Sequence, residues 1–476
     1  MRRCHMLFLL LLPLLPLRAQ DPHPATDSVA QVVAGLLRQG NWNGVYDRTD
    51  SFFRSKVPRA AFTGQMNQLQ RTAFGNFHSI VYDRRQQAVH YYKAAFDEAN
   101  LYLIIACNAQ DSITTFALRK YFVPGQDSLV QRSNPMRSQL DRVVDSVVRN
   151  WLRTSYSAGM TIGVYTGGTA TFYGYGETKA GNGRLPDENS LYEIGSISKT
   201  FTALLLAKRY NAGVLNPDSC ISLYLPDSLP RLAWKEKPIT LTHLSNHSSG
   251  IPSLPLNFKV VPGYNNGDPY RSYSREMLLH YLKSFTPYRE PGKNFEYSNM
   301  GVAILGQVLE LQSGKRYHDL VNREICRPLG LRHTGQFPAR LRRVNRTSGY
   351  TGTGDATPPW TFQAFAAAGA LHSTAADLLR YARFVLQPGQ GPLADALERT
   401  LVPALRTGPA TQTGLGWFLQ TTQQKTFITH SGGTGGYRST LLICRGTGDA
   451  VVVLSNTAIE VDALAFSIME YLTNRK

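Results

Sequence analysis

In the stretch EIGSISKTFTALLL, Glu193–Leu206, a serine and a lysine stand three residues apart at the head of an apolar run. On a helix that spacing puts Ser196 and Lys199 on one face, about 5–6 Å apart at the β-carbons. An amine there can take the hydroxyl proton, provided burial or a neighbouring cation makes part of it neutral. The residues that follow Lys199 are apolar nearly all round, which predicts a buried helix. Lys208 and Arg209 suit its negative end, and Asn211 and Gly213 stop it. A serine at the positive end of a buried helix, beside a desolvated amine, is costly for structure alone. The plain alternative makes Ser196 the helix cap and lets Lys199 reach outward to water.

Two further segments carry groups suited to the same chemistry. PGKNFEYSNMGVAILGQVLE, Pro291–Glu310, sets Tyr297, Ser298 and Asn299 between a Pro-Gly turn and an apolar helix. ITHSGGTGGYRS, Ile428–Ser439, sets His430, Ser431 and Gly432 at the end of a strand entering a glycine-rich turn. Ser-x-x-Lys occurs once in the chain, and the three segments follow in this order.

Together they resemble the three boxes of the serine β-lactamase and penicillin-binding superfamily. Within it the chain is most similar to the class C β-lactamase-like branch of D,D-peptidases, D-amino-acid peptidases and esterases. The resemblance runs from about Arg137 to the C-terminus. It implies that Ser196 is acylated, that Lys199 activates it, and that Tyr297 shuttles the proton to the leaving group. It implies that Asn299 orients Lys199 and the substrate, that His430 stands where β-lactamases carry a lysine, and that the Ser196 and Gly433 N–H groups form the oxyanion hole. Ser431 and Gly432 complete the substrate edge. A mostly neutral His430 holds a substrate carboxylate less well than a lysine. The expected activity is therefore a D,D-peptidase, D-aminopeptidase or esterase rather than an efficient β-lactamase, with neither cofactor nor metal. The rival reading is a receptor that binds penicillin or a peptidoglycan peptide without turnover, and a second rival gives the function to the N-terminal domain.

Other candidates weaken on inspection. Tyr264 heads a second Tyr-x-Asn, but in a Gly/Pro/Asn-rich loop. His243 and His247 are four apart, as zinc ligands can be, but no glutamate stands between them, and both read as structural. His372 reads as a cap-adjacent surface histidine, and Arg438 as a surface arginine. No Gly-x-Ser-x-Gly elbow is present.

The elements that must position these groups form an α+β chain of 476 residues. MRRCHMLFLLLLPLLPLRAQ has a basic start, an apolar run over Met6–Leu17 and a cleavable Ala19, the layout of a signal peptide over residues 1–19. The run is short for a membrane span, so an exported protein, periplasmic or secreted, is expected, with an uncleaved anchor as the alternative. Residues 20–125 carry helical spacing to about Leu69 and then four strand-like runs, a small α+β accessory domain similar in pattern to cystatin-like or nuclear-transport-factor-like domains. Its aromatics Trp42, Tyr46, Phe52, Phe53, Tyr91 and Tyr92 read as core. Residues 126–136 read as a linker. Residues 137–476 open with the amphipathic RSQLDRVVDSVVRNWL and a Gly-Gly hairpin, and close with two strands and a helix. That predicts an antiparallel sheet assembled from both ends, flanked by helices, with a helical subdomain between.

The formal charge of +18 comes from dispersed Lys and Arg, with no basic run interleaved with aromatics, which argues against nucleic-acid binding. The expected partner is a small-molecule or peptide substrate, possibly cell-wall derived. Cys107, Cys220, Cys326 and Cys444 are scattered and demand no disulfide.

Overall fold

The computed structural model describes residues 25–474, except 87, 98–99, 121–129, 154, 342–343, 353 and 423. The leader expected over residues 1–19 lies outside the described residues, as do residues 126–129 of the expected linker. The chain divides into two compact units, Met1–Val123 and Pro124–Lys476.

In the first unit, helices α1 (Ala25–Arg38), α2 (Trp42–Asp47), α3 (Ser51–Lys56) and α4 (Arg59–Leu69) precede four strands. Helical spacing alone suggests two or three helices. Local caps divide the run further, because Asn41 and Asp50 side chains accept the N–H groups of Gly44 and Phe53. Strands β1 (Phe77–Gln86), β2 (Val89–Phe96), β3 (Asn100–Cys107) and β4 (Ile113–Lys120) form an antiparallel meander. Alternation in β2 turns Tyr92, Ala94 and Phe96 inward, into one core with Val29, Val33 and Leu37 of α1. Phe52 is not core: it is 53% exposed, because α3 is one short helix whose inward position goes to the adjacent Phe53.

The second unit begins with α5 (Gln139–Leu152), closed at its N-terminus by a Ser138/Asp141 capping box. Strands β5 (Gly159–Thr166) and β6 (Thr169–Gly176) follow, joined by Gly167 and Gly168, both at positive φ. Only glycine adopts two such residues without strain. The short strand β7 (Ser190–Glu193) leads to α6 (Ser198–Asn211). After the helical segments α7 (Leu241–Ser245), α8 (Asn299–Ser313) and α9 (Ala375–Leu386), the chain returns as β8 (Leu405–Arg406), β9 (Thr411–Thr413), β10 (Phe418–Thr422), β11 (Lys425–Gly433), β12 (Arg438–Cys444) and β13 (Asp449–Ser455). Helix α10 (Asp462–Thr473) ends it.

The main sheet has eight strands in the order β8-β9-β10-β11-β12-β13-β5-β6. Its two sequence-distant halves meet where β13 pairs β5, with Val453 opposite Ile162. The expected assembly from both ends is thus present. Successive residues of β13 serve opposite cores: Val451 and Val453 pack with Val144, Val148, Leu464 and Ile468 of α5 and α10. Val452 and Leu454 pack with Phe201 and Leu205 of α6 and Tyr381 of α9. Burial on both faces explains why the strand reads as an unbroken apolar run.

Helix α6 is the buried mast of the unit, enclosed from Ser198 to Ala207. Phe201 stacks on Tyr381 at 4.4 Å between ring centroids, and Tyr381 on Trp417 at 6.0 Å. At the far end Lys208 and Arg209 both bind Glu324, which holds its carboxyl down to about 2. Cys107, Cys220, Cys326 and Cys444 are free thiols. Among the described residues no helix is long and apolar enough to cross a membrane, and no group of three His, Cys, Asp or Glu side chains could hold a metal ion.

Candidate active site

Ser196 lies in a single 3-10 turn, Gly195–Ile197, between β7 and α6. It does not cap α6, which has no side-chain cap. Its Oγ instead accepts a hydrogen bond from Lys199 Nζ at 3.0 Å. The same Nζ donates to Asn299 Oδ1 and to the Ala368 carbonyl, each at 2.7 Å. Lys199 is 1% exposed, and no carboxylate faces it across these three bonds. Burial without a compensating anion disfavours the ammonium and holds its pKa well below the ordinary lysine value. A lowered pKa favours the neutral amine, the form that can take the serine proton.

Helix α8 delivers the second group. Ser298 caps it, its Oγ accepting Gly301 N–H and donating to the Pro252 carbonyl, both at 2.8 Å. This fixes Asn299 at the first turn, with its Nδ2 near Tyr270 Oη at 3.4 Å. Tyr297, just outside the helix, turns its ring under Lys199, whose Nζ is 4.8 Å from the ring centroid. Its phenol interacts with the Ser196 hydroxyl, and burial raises its pKa above the ordinary value.

Strand β11 closes the third side. A Cβ on Gly432 would lie 2.0 Å from the Ile194 carbonyl and 2.9 Å from the Ser196 nitrogen. One on Gly195, at φ +48°, would lie 2.6 Å from the Gly433 nitrogen. The turn and the strand therefore touch backbone to backbone, a seam that only glycine permits. The backbone nitrogens of Ser196 and Gly433 both lie along this seam. Ser439 Oγ ties β12 to the Ile194 carbonyl at 2.9 Å and fixes the seam from below.

His430, also on β11, is 2% exposed, with its ring 6.5 Å from that of Tyr297. Its Nδ1 lies 2.7 Å from the Ser431 carbonyl, which can only accept, so Nδ1 carries the proton and Nε2 keeps a lone pair. Burial, and then the charge of Lys199, lower its pKa to about 3. It is a neutral imidazole across the working pH range. Ser431 points to the other face of the strand, where its hydroxyl donates to Asp462 Oδ1 at 2.6 Å. Only its carbonyl serves the cluster.

The β-lactamase family model matches residues 144–467, more than half of the chain. The chain belongs to the β-lactamase family. Within this family of serine hydrolases, it is 27% identical over 312 residues to the D-alanyl-D-alanine-carboxypeptidase/endopeptidase AmpH of Escherichia coli strain K12, covering 62% of this chain and 78% of that protein. To a β-lactamase of Pseudomonas fluorescens it is 25% identical over 352 residues, covering 67% and 94%. Among solved structures, a class C β-lactamase superposes with a TM-score of 0.63 at 22% identity, covering 72% of this chain and 99% of the other. The β-lactamase/D-alanine carboxypeptidase of Pseudomonas syringae gives 0.62 at 22%, covering 70% and 99%. These last two likenesses concern the fold.

Around Ser196, His372 departs from its sequence reading, whereas Tyr264, His243, His247 and Arg438 keep theirs. His372 is not at the surface: it is 8% exposed, because the two-residue strand His372–Ser373 pairs with β7 and carries it inward. Arg438 is tied to Glu460 at 2.7 Å and to the Thr434 and Tyr437 carbonyls, and supplies no loose charge. Tyr264 packs edge-on against Phe258 at 6.0 Å. His243 accepts the Thr240 N–H in the cap of α7, whereas His247 stacks on Tyr297. The Ala368 carbonyl, a third partner of Lys199, has no side-chain signature and could not be found by reading residue types.

Proposed function

We propose that this chain is an exported serine hydrolase that acylates Ser196 and acts on an amide or ester substrate. The observation that carries the reading is the buried Lys199 amine, its pKa lowered by burial, 3.0 Å from the Ser196 hydroxyl. Lys199 Nζ takes the proton as Ser196 Oγ attacks the carbonyl. The oxyanion forms against the Ser196 and Gly433 N–H groups, and Asn299 holds the amine in place through its Oδ1. Tyr297 passes a proton to the leaving group and later takes one from the water that releases the acyl group. Export is supported by the leader layout of residues 1–19, and leaves the periplasm or the outside as the site of action. Residues 20–125 are proposed as an accessory domain, and residues 137–476 as the hydrolase.

His430 narrows the substrate. A neutral imidazole offers no charge to a substrate carboxylate, which weighs against efficient β-lactam hydrolysis and favours D-aminopeptidase or esterase turnover, while D,D-peptidase turnover rests on the relative named next. The Escherichia coli relative, by its name a D-alanyl-D-alanine carboxypeptidase and endopeptidase, supports a cell-wall-derived peptide as substrate.

Incubation with a fluorophosphonate or a labelled penicillin, followed by intact mass, tests the nucleophile. One adduct is expected on the wild type and none on Ser196→Ala. Equal labelling of the two refutes the assignment. A panel of p-nitrophenyl esters, a chromogenic cephalosporin, D-Ala-D-Ala peptides and D-aminoacyl amides then ranks substrates. A stable adduct without turnover on any of them points to a receptor.

A further inference from the structure

We propose that His247 is the positioning residue of Tyr297, holding both its ring and the backbone on either side of it in register with Ser196 and Lys199. The proposal rests on the reading of Ser196 as nucleophile and extends it to a residue outside the three boxes.

His247 follows α7 and is 3% exposed, at φ 62°. A non-glycine residue in the left-handed region is strained when its surroundings do not favour it, and such residues persist where several contacts over-determine them. Here the contacts converge on one short segment. The His247 carbonyl accepts the Glu296 N–H at 2.8 Å, and its Nδ1 accepts the Ser298 N–H at 3.1 Å. Its ring lies against the ring of Tyr297 at 4.4 Å, tilted by 34°, with Phe295 edge-on at 6.0 Å. Next to it, the Ser248 carbonyl accepts the Gly292 N–H at 2.8 Å. Residues 296, 297 and 298 are thus each held by His247, through a carbonyl, a ring face and a ring nitrogen in turn.

The geometry also settles which chemistry His247 does not perform. An N–H donor at Nδ1 requires a lone pair there, so the ring is neutral with its proton on Nε2. Protonating Nδ1 would break the Ser298 bond. Burial, with Lys199 and His430 nearby, disfavours that protonation. The imidazole is therefore a fixed support and not a proton carrier. Such a support is needed because Tyr297 stands on extended chain before α8, where no helical hydrogen bonds restrain it. A misplacement of about 1 Å at a reacting group can cost on the order of 100-fold in rate.

The test compares two variants of the full chain with the wild type, on the best ester of the panel. His247→Asn tolerates the left-handed backbone and keeps an acceptor for Ser298, but removes the ring. His247→Phe keeps the ring and removes the acceptor. Turnover is expressed per site labelled by fluorophosphonate, so that loss of folded protein does not enter. For His247→Asn, kcat is expected to fall about 10- to 100-fold with KM changed less than about threefold, and His247→Phe to recover part of the loss. A wild-type kcat per labelled site in His247→Asn overturns the proposal. If that variant does not fold, a wild-type kcat in His247→Phe overturns it equally. Failure of the Ser196 reading is separate, since it shows as a wild type that takes no label.

Discussion

Glu193, three residues before Ser196, offers a sharp test of the electrostatics around the turn. It is 4% exposed; its Oε1 accepts the Trp360 N–H at 2.9 Å, and its Oε2 has no partner among the described residues. His372 Nε2 is 4.0 Å away, but burial lowers that imidazole to about 4, so it brings no charge at neutral pH. Burial, opposed by the bond from the Trp360 N–H, raises the Glu193 carboxyl from 4.5 to about 7. A folded-state pKa above the unfolded one means that the native protein binds the extra proton. The stability it contributes is full below about pH 4.5 and is lost as pH rises through about 7. The difference of about 2.5 units, at 1.36 kcal/mol each, amounts to about 3 kcal/mol. Glu193→Gln keeps an acceptor for Trp360 and cannot ionise. Its stability relative to wild type should therefore grow by about 3 kcal/mol between pH 4.5 and pH 8.5. The buried histidines, whose contributions change in the opposite sense, are common to both proteins and cancel. Urea unfolding followed by tryptophan fluorescence reads this, since four of the five tryptophans, Trp151, Trp234, Trp360 and Trp417, lie in the second unit. A difference that stays flat with pH, or shrinks as pH rises, would refute the reasoning.

Lys199→Met should remove the proton acceptor and lower turnover by on the order of 10³-fold or more, while near-ultraviolet circular dichroism shows the fold retained. Gly432→Ala should push β11 off the Ser196 turn, because its Cβ meets the Ile194 carbonyl at 2.0 Å. Labelling by fluorophosphonate should then slow by about 10²–10³-fold, the cost of losing an oxyanion donor. Phe201→Ala removes a fully buried ring stacked on Tyr381 and should destabilise the second unit by about 3–5 kcal/mol in urea unfolding.

Much of the fold was legible because its local rules are strong. The Gly-Gly hairpin, the amphipathic α5 and the apolar α6 each declare themselves within a short stretch of sequence. The first unit was read less completely: the caps at Asn41 and Asp50 split its helical run, and Phe52 faces outward where composition placed it in the core. His372 departs from its sequence pattern for the opposite reason. A two-residue strand has no sequence pattern of its own, and only its pairing with β7 buries the histidine.

Residue types and spacing determined that a serine, a lysine, a tyrosine, an asparagine and a histidine with compatible chemistry were present, and that Ser196 and Lys199, one turn apart, would be neighbours. Those properties are local, set by side-chain chemistry and by the 3.6-residue turn. The tertiary structure decided the rest. It brought Asn299 and the Ala368 carbonyl, 100 and 169 residues away in sequence, onto one amine. It set Gly432 against Ile194, and it turned Ser431 away towards Asp462. It also holds the Lys199 amine well below its ordinary pKa and His430 down to about 3, because desolvation is the combined effect of every group that excludes water, and no single position in the sequence carries it.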